Sequence, residues 1–179
     1  TSRGLGDVYK RQVLEARDVM KVLRCREDAP KDLREKSLFL AGRLLEFDPN
    51  LRGGQGYYTA REILDSGKAM EAMSQMVHAQ GKLDPPALGQ LTRDIAAQSS
   101  GVVEEIDGAQ LNRIAMTAGA PADKGAGIDL FKKIGDPVEQ GELLYRIYAS
   151  NPTAFAFANG LAEGASGFTL SSKGAGYAS

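Results

Sequence analysis

Apolar positions along this chain change their period once, near residue 82. From Val13 to Gly81 they recur at helical intervals. Leu14, Val19, Val22 and Leu23 predict a first helix over Leu14–Arg24. Pro30 stands where a first-turn proline is tolerated, and Leu33, Leu40, Ala41 and Leu44 mark one face of a second helix. Asp48-Pro49-Asn50 and Gly53-Gly54-Gln55-Gly56 punctuate a loop. Thr59, with Glu62 three residues on, has capping-box spacing and predicts a short helix over Ala60–Ser66. Beyond Gly67, the positions Ala69, Met73, Met76 and Val77 predict a helix over Lys68–Gln80.

The second half reads differently. Lys82–Gln90, with Pro85-Pro86 and Gly89, is a linker in composition. Gly101–Ile106 is strand-like, and Ala109–Ala118 places Leu111, Ile114 and Ala115 on one helical face. Gly127–Ile134 and Glu142–Ala149 predict two strands joined through Gly135-Asp136 and Gly141. In the second of these, Leu144, Arg146 and Tyr148 alternate with Leu143, Tyr145 and Ile147, the pattern of a half-buried strand. Pro152–Glu163 is an apolar helix, and the Gly-, Ser- and Ala-rich stretch Gly164–Ser179 reads as a fraying tail.

The fold class this predicts is α+β, in five stretches. Residues 1–12 carry no apolar periodicity, join abruptly to the helical pattern, and read as adapter-derived or disordered sequence set apart from the fold. Residues 13–81 are helical, too short and too apolar on their outer faces to stand alone, and read as the end of a larger domain. Residues 82–91 link them to a small α/β domain over 92–163, and 164–179 form the tail.

Composition narrows the chemistry. Among 179 residues, 22 basic groups balance 23 acidic ones, which removes the electrostatic footprint of a nucleic-acid or anionic-membrane binder. The apolar runs are too short for a membrane span, and the N-terminus lacks the apolar core of a signal peptide. Cys25 is the single cysteine, so no internal disulfide can form, and a cytoplasmic location is the expectation. With one His and one Cys, zinc-ligand spacing cannot be met. Any Ser-His-acid or Cys-His arrangement would need His78, which shares its helix with Met73, Met76 and Val77 and reads as a structural or surface residue. Met70, Met73 and Met76 read as flexible core filling. Gly53–Gly56 lacks both the Lys-Ser/Thr of a phosphate loop and a preceding strand, so it reads as a plain turn.

Two stretches are more specific. Gly119, Gly125 and Gly127 frame Asp123-Lys124 in a loop that is either a structural corner or a ligand contact, the corner being favoured by spacing alone. The hairpin Gly135-Asp136-Pro137-Val138…Gly141-Glu142-Leu143-Leu144 is similar to the turn of biotinyl and lipoyl carrier domains. Those domains present the modified lysine at a hairpin tip, whereas Lys132 and Lys133 precede this turn. The turn therefore indicates shared architecture, and a stand-alone carrier or interaction module is the alternative reading.

A family resemblance ties these stretches together. Ala118–Leu130, AGAPADKGAGIDL, followed by FKKIGDPVEQGELLYRIYA, resembles the C-terminal domain of the thymidine phosphorylase and AMP phosphorylase family, in wording closest to its longer bacterial and archaeal branch. Leu14-Glu15-Ala16-Arg17-Asp18 is similar to that family's LE-x-x-D/E helix, Ser66–Gly81 to its SGKA…AQG segment, and Gly101–Asp107 to its GxVxxID strand. The resemblance runs from Val13 to about Ala162. It implies a β-sandwich-like, hammerhead C-terminal domain, preceded by the helical end of the central phosphorylase domain. It implies an enzyme that cleaves a nucleoside with phosphate to base plus (deoxy)ribose 1-phosphate, with thymidine, uridine and AMP all open as substrates. The family's phosphate and base contacts precede residue 13, so this chain alone is expected to be inactive and no catalytic residue carries over. Homodimerisation through the absent N-terminal helical domain is implied as well. One position does carry over. Pyrimidine members bind a monovalent cation such as potassium near the phosphate loop, through an acidic side chain on the LE-x-x-D/E helix. The matching position is Asp18, here the shorter acid, with a solvated helix carboxylate as the alternative reading.

Overall fold

The computed structural model describes residues 13–81 and 86–172. Expectations for residues 1–12, for 82–85 and for the tail beyond 172 lie outside the described residues. The chain divides into two compact units, Ala16–Asp84 and Pro85–Ser179, with the start of the first helix up to Glu15 grouped with the latter. Among the described residues no helix is long and apolar enough to cross a membrane.

The first unit is helical: α1 (Val13–Leu23), α2 (Lys31–Leu45), a 3-10 turn (Pro49–Leu51), α3 (Gln55–Asp65) and α4 (Lys68–Gln80). The third helix starts five residues earlier than capping-box spacing predicts. Gly54 occupies the cap position, and its backbone N–H donates to Oε1 of Glu46 at 2.8 Å, so Thr59 lies one turn inside the helix. The Gln55-Gly56 half of the expected loop is therefore helical for a packing reason. A Cβ on Gly42 would lie 2.7 Å from the backbone of Tyr57, and one on Gly56 would overlap the carbonyl oxygen of Gly42. Two glycines face each other where α2 and α3 cross, which lets the backbones meet. Tyr57 Oη donates to Oε2 of Glu35 at 2.6 Å and Arg34 pairs with Asp65 at 2.6 Å across the same two helices. The core beneath them is small: Val22, Leu38, Ala60 and Leu64 are its buried apolar side chains among the described residues.

The second unit is α+β: β1 (Leu91–Ala96), β2 (Gly101–Ile106), α5 (Gly108–Thr117), β3 (Gly127–Leu130), β4 (Pro137–Val138), β5 (Leu143–Ala149), α6 (Pro152–Gly164) and β6 (Phe168–Ser172). Two antiparallel three-stranded sheets form, ordered β1-β5-β3 and β4-β2-β6. Three features differ from the expectations. Residues 91–96 form a strand although only Leu91 and Ile95 are strongly apolar there, because β1 pairs along β5. The strand expected over Gly127–Ile134 ends at Leu130, after which the chain passes to the other sheet, where the Gly135 N–H donates to the Val103 carbonyl at 2.8 Å. The stretch expected to fray supplies β6, which pairs with β2 from Gly101↔Ser172 to Ile106↔Phe168.

Bulges explain two breaks in alternation. Ile95 pairs with Tyr145 and Ala96 with Leu143, so Leu144 is an extra residue and is buried beside Tyr145 instead of facing out. Likewise Val103 pairs with Leu170 and Glu105 with Thr169, leaving Glu104 extra, so two successive glutamates reach solvent. The core is continuous, built on Val103, Leu111, Ile114, Ile128, Val138, Tyr145 and Ile147 among others. Helix α5 packs on α6 and β3, and α6 on β5 and β1. Both helices are capped by side chains: Asp107 accepts from the Gln110 N–H, and Asn151 from those of Thr153 and Ala154.

Candidate functional site

Asp18 lies mid-way along α1, where the helical stripe of Leu14 and Val22 turns it inward, and it is only 4% exposed. A carboxylate at that depth needs a charged or hydrogen-bonding partner. The neighbouring guanidinium supplies one: Nε and Nη2 of Arg17 both lie 3.1 Å from Oδ1 of Asp18. No group of three or more His, Cys, Asp or Glu side chains able to hold a metal occurs among the described residues. Asp18 is thus a buried, salt-bridged carboxylate.

The glycine-rich loop is tied into its own fold. The Asp123 side chain accepts from the Gly125 N–H at 2.9 Å, and the Asp123 carbonyl from the Ala126 N–H. A hydrogen bond from the Ser150 hydroxyl, followed by the backbone amides of Gly125, Ser150 and Ala126, holds the Asp123 carboxyl below its ordinary range. Gly125 permits a close approach, since a Cβ there would lie 2.5 Å from the Ala87 carbonyl oxygen. Its own carbonyl accepts from the Gly89 N–H at 3.0 Å. Asp123 is thus bound within the loop's own backbone, while Lys124 beside it is exposed.

The carrier-like hairpin presents no lysine at its tip. The Lys132 ammonium is held by Oε1 of Glu142 and the Pro137 carbonyl, and its bond to Glu142 keeps that carboxyl below its usual range. Lys133 begins the turn, where its backbone N–H donates to Asp136. His78 is exposed near the end of α4. The methionines depart from the expectation of core filling: Met76 is 53% exposed, and α4 has no buried residue at all. Of the stripe that looks like core in sequence, Ala69 packs against the core of its unit, while Met76 and Val77 are exposed.

Sequence alone marks Cys25 only as a lone cysteine. It takes a left-handed backbone (φ 49°) at the end of α1, and its thiol lies 3.5 Å from the Leu64 carbonyl, joining α1 to α3. Only an α1–α3 contact could have revealed that role.

The family model Pyrimidine nucleoside phosphorylase C-terminal domain matches residues 102–166, which hold β2 through α6 and the turn that follows. A protein of Rhodopseudomonas palustris (strain BisA53) named "Putative thymidine phosphorylase" is 60% identical over 159 residues, covering 88% of this chain and 31% of its own length. Like-named proteins of Bradyrhizobium sp. (strain ORS 278) and Albidiferax ferrireducens (strain T118) are 55% and 53% identical, again over 88% of this chain and 31% of theirs. The chain thus spans about a third of the length of the curated relatives it matches. With its C-terminal domain recognised and its helical unit carried along in the same alignments, the chain belongs to the thymidine and pyrimidine nucleoside phosphorylase family, as the counterpart of the C-terminal part of its longer members.

Proposed function

We propose that this chain serves as the C-terminal third of a thymidine phosphorylase-type pentosyltransferase, one that transfers the pentose of a nucleoside to phosphate and releases the base. The observation that carries this reading is the match of both units, at 60% identity over 88% of the chain, to a longer protein bearing that name. Such a reaction must hold an anionic nucleophile against an oxocarbenium-like carbon and stabilise the departing base. In this reading the groups for both tasks come from the upstream part of the polypeptide. The contribution of Pro85–Ser179 is then a rigid module that braces or closes on the cleft.

The test is phosphate-dependent release of base from thymidine, uridine and AMP, run on the 179-residue chain and on a full-length polypeptide that includes it. The chain alone is expected to release none, and the full-length protein to release thymine or uracil. Adenine from AMP instead would move the assignment to the AMP branch. Turnover by the chain alone would overturn the placement of the site upstream. In this reading Asp18 brings one ligand to a monovalent cation whose other ligands lie upstream. Asp18→Asn in the full-length enzyme should then blunt the response to potassium, and an unchanged response would remove that role. Dimerisation through the upstream domain and a cytoplasmic location belong to the same proposal.

A further inference from the structure

Asn159 and Gly160 are neighbours on α6. Of the asparagines Asn50, Asn112, Asn151 and Asn159, only Asn159 precedes a glycine. A backbone nitrogen can attack the side-chain carbonyl carbon of a preceding asparagine, and glycine, having no Cβ, hinders that approach least. The surroundings of the pair leave it unscreened. A Cβ built on Gly160 would meet nothing within 4 Å among the described residues. Oδ1 of Asn159 is buried and accepts no hydrogen bond there, so it does not anchor the amide. What restrains the pair is the helix itself. In helical geometry the Gly160 N–H is committed to the carbonyl of Ala156, away from the Asn159 side chain. Gly160 also weakens that restraint, because a glycine inside a helix favours the open chain.

We propose that Asn159 is a deamidation site whose rate is set by opening of α6. The Gly160 nitrogen bonds to Cγ of Asn159, and the Cγ–Nδ2 bond breaks. The amide proton of Gly160 leaves with that nitrogen as ammonia. Water then opens the cyclic imide at either carbonyl, leaving aspartate or isoaspartate in the chain. Either product strains the helix. A carboxylate would stand where a neutral oxygen is now buried without a partner. It would also form a like-charge pair at i,i+4 with Glu163, whose own partner is Arg93. Isoaspartate adds a carbon to the backbone and so breaks the hydrogen-bond ladder of the helix. Because α6 packs on α5, β5 and β1, the strain passes into the continuous core of the second unit.

Peptide mapping by mass spectrometry tests this on the 179-residue chain. The protein is held in mildly alkaline buffer, folded or in urea, and aspartate and isoaspartate are measured at each asparagine. Conversion at Asn159 should lead that at Asn50, Asn112 and Asn151 in both conditions. It should run about tenfold or more faster in urea, where α6 is open throughout. Gly160→Ala places a better helix former in open space, so the variant should fold and should slow the reaction in buffer and in urea alike. Asn159→Asp should lower the melting temperature of the second unit or abolish its folding, and Gly160→Ala should do neither. Conversion at Asn159 no faster than at the other asparagines overturns the site. Equal rates in buffer and urea overturn the control by α6. An Asn159→Asp chain that melts with the wild type overturns the strain assigned to the product.

Discussion

At the residue scale, Asp123 shows how a motif that looks like ligand chemistry can be spent on the fold. Its carboxylate accepts bonds from the Ser150 hydroxyl and from backbone amides of its own loop, and these lower its pKa. A depressed carboxyl contributes stability that is complete above the unfolded value, about 3.9, and is lost as pH falls through the lower folded value. Asp123→Asn should therefore destabilise the second unit by about 1–2 kcal/mol at neutral pH. The gap to wild type should narrow on acidification below about pH 4. Urea melts across that range check both parts, and a gap that widens toward acid would contradict the assignment. The flanking glycines were legible as a loop in sequence. That Gly125 admits the Ala87 carbonyl was not, because the contact joins residues 38 positions apart.

Strands illustrate the element scale. Helices α1, α2, α4, α5 and α6 were legible because a 3.6-residue stripe and its caps are local properties of the chain. The start of α3 was not, because it is capped by left-handed Gly54, whose N–H is held by Glu46 eight residues back, rather than by the local Thr59. β1 and β6 also escaped, each with only two large apolar residues, because their partners β5 and β2 lie about 50 and 65 residues away in sequence and supply the order. β6 contributes more than backbone pairing. Phe168 stacks on the buried Tyr145 at 5.8 Å between ring centroids, with the planes 19° apart. Phe168→Ala should cost about 2–3 kcal/mol in the second unit. A thermal melt unchanged by that substitution would show the C-terminal strand to be dispensable.

For the whole molecule, the two units differ in completeness. The second surrounds a continuous core with two sheets and two capped helices. Pro85–Ser179 expressed alone should therefore fold and melt cooperatively, as seen in a single calorimetric transition. An isolated piece that stays expanded by circular dichroism and scattering would show its core to depend on the rest of the chain. The first unit has a four-residue core beneath an apolar groove. Its sequence already carried that imbalance, in apolar positions too numerous for one face of each helix. Where they converge was decided only by the crossing of α2 on α3.

The chain by itself determined most of its helices and its family, because these depend on residue type and short spacing. Tertiary structure decided the rest. It recruited two polar stretches as strands, bulged β5 and β2 so that Leu144 is buried and Glu104 exposed, and turned Asp123 inward. It also left α4 without a fully buried residue. The physical reason is the same throughout. Burial and strand pairing are relations between residues far apart in sequence, and no local pattern states which distant surface will be there to meet them.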